Sequence, residues 1–118
     1  MHDSVSALIA QMRAQRERWV DVGDGRAVCV LVLRETEIGA MRDGTVVDLV
    51  IAQAVNWRGF TGATLLGPSV GHSDAVEFDS ALFGEWVRNQ ADVVSKLSGV
   101  LVDDAKARVQ ALKDARKN

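Results

Sequence analysis

Arg18-Trp19-Val20-Asp21-Val22-Gly23-Asp24-Gly25-Arg26-Ala27-Val28-Cys29-Val30-Leu31-Val32-Leu33 sets two strand-forming runs on either side of Gly-Asp-Gly. Asp-Gly between β-branched runs is a strong short-range hairpin signal, because the tight turn needs positive φ at its central positions. The stretch reads as a two-stranded hairpin over 18–34. An isolated hairpin is marginal in water, so its apolar face must lie on helices or its edge must pair with another chain. The fold is therefore decided by what surrounds it.

Upstream, Asp3 or Ser4 can cap a helix over 3–15 in which Val5, Leu8, Ile9 and Met12 recur at i, i+3, i+4 and i+7. That stripe needs something to pack on. Downstream, Glu35 to Met41 gives a short helical turn ended near Asp43-Gly44, and Thr45 can cap a helix over Val46–Val55 that is apolar round most of its circumference. Its β-branched content leaves a strand open as the alternative, but the long run without a breaker and Asp48 at the third helical position favour helix. After a Gly/Pro/Ser loop, Phe78, Asp79 and Phe83 fit a hydrophobic staple around an aspartate cap. The helix that follows presents Leu82, Phe83, Trp86 and Val87, and Asn89-Gln90 marks its break. The last helix begins near Asp92 with Val94, Leu97, Leu101, Ala105, Val109 and Leu112 at helical spacing, and 113–118 reads as a frayed tail.

These elements give one domain over 1–118, α+β and mainly helical, with the hairpin packed on about five helices. The expected core is Leu8, Trp19, Val30, Val50, Ile51, Phe83, Trp86, Leu97 and Leu101. A chain of 118 residues buries roughly two-thirds of the surface that its unfolded form exposes, enough for stability without disulfides or metal. The lone Cys29 and the lack of a hydrophobic segment after Met1 read as a resident of a reducing cytosol. The longest apolar run, Ala27 to Leu33, falls far below the roughly 20 residues that cross a bilayer. A net charge of -2 argues against a general nucleic-acid binder. Basic residues gather near the ends, at Arg13, Arg16 and Arg18 and again at Lys106, Arg108, Lys113, Arg116 and Lys117, which a solvated helix face explains or a docking tail would use.

Gly67-Pro68-Ser69-Val70-Gly71 spells the G-x-S-x-G of a hydrolase nucleophile elbow. Such an elbow needs a strand before the serine and a helix straight after it, and here proline precedes Ser69 while His72-Ser73-Asp74 continues as polar loop. The glycines and proline read as turn-formers. His72, Asp74, Glu77 and Asp79 match no metal-ligand spacing, Cys29 sits in the most apolar strand as a structural thiol, and no phosphate-cradling glycine pattern is present. No catalytic residue, metal or cofactor is assigned, and no enzyme class is favoured. The candidate partner-binding residues are Trp57, Phe60 and Trp86, if a pair of them is exposed, and the basic Arg108, Lys113, Arg116 and Lys117.

Arg18-Trp19-Val20-Asp21-Val22 leading into the Asp-Gly turn, Arg34-Glu35-Thr36-Glu37 after the hairpin, Val55-Asn56-Trp57-Arg58-Gly59-Phe60-Thr61 at the helix exit, and Val76-Glu77-Phe78-Asp79 before Leu82 to Val87 together resemble small proteins of tailed-phage and prophage morphogenesis operons, several of them tail assembly chaperones. The resemblance spans residues 18 to 100 and leaves out the first helix. It implies a non-enzymatic protein of the bacterial host cytoplasm that shields the coiled-coil tape-measure protein and recruits tail-tube subunits. Two alternatives stay open: a small permanent virion protein of the tail or connector, and a regulatory module that binds a host protein. The first helix, outside the resemblance, could serve a homo-oligomer.

Overall fold

The computed structural model describes residues 2–38 and 45–117, the first two of them by backbone alone. Along the chain run α1 (His2–Ala14), β1 (Glu17–Gly23), β2 (Arg26–Leu31), α2 (Glu35–Ile38), α3 (Val46–Gln53), β3 (Ala54–Arg58), α4 (Gly62–Leu66), α5 (Ser80–Val87) and α6 (Ala91–Lys117). The architecture is α+β and mainly helical. The helical turn expected to reach Met41 is seen as α2 as far as Ile38, and its end at Asp43-Gly44 lies outside the described residues.

The hairpin forms where its turn chemistry demands. Asp24 and Gly25 both take positive φ, 55° and 76°, and Gly23 bulges out of register with its amide donating to Asp21 Oδ1 at 2.7 Å. The strand alternation then splits the hairpin into two faces. Val20, Val22, Val28 and Val30 face the helices and join the core with Val50, Phe83, Leu97 and Leu101. Trp19 falls with Asp21 on the opposite face, 41% exposed, where the Arg58 guanidinium lies 4.6 Å from its ring centroid. Trp19 is therefore not a core residue, as expected from its size, but a half-open platform.

A third strand adds to the expected hairpin. α3 stops at Gln53, and the chain passes without a loop into β3, antiparallel to β2 with Val28 opposite Trp57 and Val30 opposite Ala54. The sheet order is β1-β2-β3. Thr45 caps α3 as anticipated, accepting from the Asp48 amide and donating to the Asp48 carboxylate. The helix is shorter than the reading to Val55 because Ala54 to Arg58 gain ladder hydrogen bonds and seat Trp57 in the core, a tertiary gain that outweighs local propensity. Gln53, buried at the junction, donates from Nε2 to the Leu31 carbonyl at 2.7 Å and closes the end of β2.

Asp79 caps α5 by accepting from the Leu82 amide at 2.9 Å, and Phe78 meets Phe83 across that cap with centroids 5.8 Å apart. The staple is present as expected. α6 contributes Val93, Leu97, Leu101 and Ala105 to the core. Its end is helical through Lys117 rather than frayed from 113. Lys113-Asp114-Ala115-Arg116-Lys117 is rich in good helix formers, and cations at a helix C-terminus complement the macrodipole.

Candidate partner-binding surface

The three aromatics singled out from sequence are placed inside. Trp57 is 5% exposed, Phe60 1% and Trp86 8%. Trp57 stacks on Phe60, Phe60 meets Trp86 edge to face at 4.9 Å, and the Arg26 guanidinium lies 5.5 Å from both the Phe60 and the Trp86 ring. No exposed pair exists among them, so they present no exposed aromatic anchor of the kind that would mark a partner groove. The Trp-Arg-Gly-Phe-Thr stretch has structural work instead. Gly59 takes φ +79° where a Cβ would collide with the Gly25 carbonyl oxygen, and Thr61 makes a reciprocal capping box with Thr64 at the start of α4.

The G-x-S-x-G loop follows helix α4, not a strand. Gly67 accepts from the Gly71 amide at 2.9 Å, and the Ala63 amide donates to the His72 carbonyl at 2.8 Å. A Cβ on Gly71 would run into the backbone of Gly62. The glycines thus let the loop fold back on the first turn of α4. Ser69 is exposed at its tip, and His72 Nδ1 faces Asp74 at 3.9 Å across solvent. Among the described residues no three His, Cys, Asp or Glu side chains converge as a metal site. Cys29 is buried, and burial pushes its thiol up from the ordinary value, with the Glu17 carboxylate adding to the effect.

α1 carries a row of large apolar side chains with unmet packing. Val5, Leu8, Ile9 and Met12 are 59%, 59%, 61% and 66% exposed, and every side chain from Ser4 to Gln15 is exposed. Leu8 is therefore not in the core where its periodicity put it. A helix this short is marginal in water on its own, and four large apolar residues on one face of it form a patch of the kind that marks an interaction site.

At the root of α1 a cleft of about 750 Å³ opens between that helix, the start of β1, the end of β2 and α6. Ile9, Met12, Leu31 and Val32 give it an apolar floor, and Arg13, Arg16, Arg18, Arg34 and Arg108 stand around it against a single carboxylate, Asp104. Three of the arginines hold the cleft together. Arg16 donates from Nε to the Val32 carbonyl at 3.2 Å while its own carbonyl accepts from the Val32 amide at 2.8 Å, extending the hairpin ladder by one step. Arg18 donates to the carbonyls of Gln15 and Glu17. Arg108, reaching from α6, donates to the Leu33 carbonyl. Asp104 sits between Arg18 at 3.6 Å and Arg108 at 3.9 Å, and its Oδ2 is buried without a hydrogen bond.

Of the basic candidates, Arg108 belongs to this cleft, whereas Lys113, Arg116 and Lys117 are exposed at the far end of α6. Arg13, Arg16, Arg18 and Arg34 were visible as charge but not as a site. Only the antiparallel return of β2 beside α1 brings Arg34 to the others. Among the described helices none is long and apolar enough to cross a membrane.

Comparison with protein-family models, curated proteins and solved structures returns no match.

Proposed function

We propose that this protein is a non-enzymatic tail assembly chaperone, or a closely related morphogenesis protein, of a tailed phage or prophage, acting in the host cytoplasm on the tape-measure and tail-tube proteins. The single observation behind the binding part of this reading is the exposed Val5-Leu8-Ile9-Met12 stripe of α1. A row of apolar residues at helical spacing fits a helical client as one seam of a two-helix contact. The tape-measure assignment is supported by the resemblance across residues 18 to 100, whose motifs serve the hairpin turn, the Trp57-Phe60 stack and the Asp79 cap. α1, outside that resemblance, is the element left to make contact.

The test is co-expression with the tape-measure and tail-tube proteins of the source phage, capture of this chain, and mass spectrometry of purified particles. Client capture with absence from particles supports the chaperone reading. Presence in particles at fixed stoichiometry moves the assignment to a permanent virion part.

A further inference from the structure

We propose that the arginine-rimmed cleft at the root of α1 is a recognition site for an acidic amphipathic helix, reading a row of Glu or Asp side chains that flank the apolar stripe seated on α1. The inference rests on the reading above only in taking the partner to be a helix.

Charge is the first argument. Five guanidiniums stand against one carboxylate in the cleft lining, on a chain whose net charge is -2, so the positive field there is local and not a property of the whole surface. Arg16, Arg18 and Arg108 spend donors on carbonyls, and Arg16 is also paired with Glu37, outside the lining, at 3.7 Å. Among the described residues Arg13 and Arg34 have no carboxylate within ion-pair distance. They are two planar donors with no ion pair among the described residues, and guanidinium matches carboxylate bidentately.

Continuity is the second argument. Ile9 and Met12 belong both to the exposed stripe and to the cleft floor, and Arg13 follows Met12 on α1. A helix lying along the stripe carries its flanking residues directly over the cleft, because residues three and four apart share a helix face. The apolar floor also separates this site from a nucleic-acid groove. Among the described lining residues no aromatic ring is available for a base to stack on, and the acidic body opposes a phosphate backbone.

The test uses the full chain and dye-labelled model helices of about five turns, identical in their leucine stripe and differing only in whether Glu, Gln or Lys flanks it. Fluorescence anisotropy is expected to give binding in the order Glu, Gln, Lys, with the Glu peptide weakening as salt is raised from about 50 to about 200 mM. The double variant Arg13→Glu/Arg34→Glu is expected to weaken the Glu peptide about tenfold or more and to narrow the gap between Glu and Lys peptides. Both positions are exposed, so circular dichroism and the urea midpoint should stay those of the native chain. Lys96→Glu, exposed on α6 twelve residues before Arg108 and outside the cleft lining, serves as the charge control and should leave binding unchanged. Equal binding of Glu and Gln peptides, no binding of either, an unaltered affinity in the double variant, or tighter binding of a poly-dT oligonucleotide would each overturn the proposal. Failure here with tape-measure capture intact would remove the acidic-helix inference alone; success here with no capture would remove the tape-measure reading alone.

Discussion

The indole of Trp57 lies flat on the ring of Phe60, centroids 4.2 Å apart and planes 10° apart, while its Nε1 donates to the Val76 carbonyl at 2.8 Å. That arrangement joins the end of β3 to the segment leading into α5 and makes the aromatic cluster a structural centre. Phe60→Ala is expected to cost about 3–5 kcal/mol of stability, and Trp57→Phe at least the roughly 1 kcal/mol of a lost hydrogen bond. Urea unfolding followed by circular dichroism measures both. A near-native midpoint for Phe60→Ala would contradict the placement of this ring.

Gly71 and Ser69 separate a folded turn from a reactive one. Gly71→Ala should destabilise the chain by about 1–3 kcal/mol, since the new methyl meets the backbone of Gly62 and something must shift. Ser69→Ala, at an exposed tip, should stay within about 0.5 kcal/mol. An ester-hydrolysis activity that disappears in Ser69→Ala would turn the reading of the loop round.

At the start of α5, Asp79→Ala removes the acceptor for the Leu82 amide and is expected to cost about 1 kcal/mol, with Asp79→Asn close to neutral. Thermal unfolding of the pair distinguishes a cap from a mere surface charge, because the asparagine keeps the acceptor and drops the charge.

On α1, Leu8→Glu and Met12→Glu should change stability by no more than about 0.5 kcal/mol, as expected for exposed positions, and should abolish client capture. A large stability loss on either substitution would mean that the stripe packs within the chain, and retained capture would place the contact elsewhere.

Cys29 titrates with a raised value in the folded state. A neutral thiol is retained by the fold to higher pH than by the unfolded chain, so the contribution of this group is fully present below its ordinary 9.0 and is lost as pH rises through the folded value. The native chain should therefore lose stability in that alkaline window relative to Cys29→Ala, and alkylation of the native thiol at neutral pH should be slow until the protein is unfolded. Rapid labelling of the folded chain at pH 7 would show the thiol to be accessible.

Elements announced by local chemistry were legible. Asp24-Gly25 and the Phe78-Asp79-Phe83 staple each combine a special backbone or capping residue with flanking apolar residues, and both sit where the pattern put them. β3 was not, because no glycine or proline interrupts the run from Val46 to Arg58 and its pairing partner lies far back in sequence at 27–30. Trp19 was misplaced by size when its spacing carried the answer: it shares a strand face with Asp21, not with Val20 and Val22. Leu8 had the right period for a buried helix face, and period alone does not say whether the covering surface belongs to the same chain. The cleft escaped for a related reason, since its arginines come from α1, β1, α6 and two connecting segments, and only the tertiary arrangement makes them neighbours.

The last buried residue of α6 is Ala105, and the helix continues to Lys117. Twelve residues at about 1.5 Å each carry Lys117 roughly 18 Å beyond that point. The screening length at physiological salt is about 8 Å. Lys117, nine residues and roughly 14 Å past Arg108 of the cleft, is thus largely screened from the arginine cleft, and the chain carries two positive poles whose salt sensitivity and affinity can be altered one at a time.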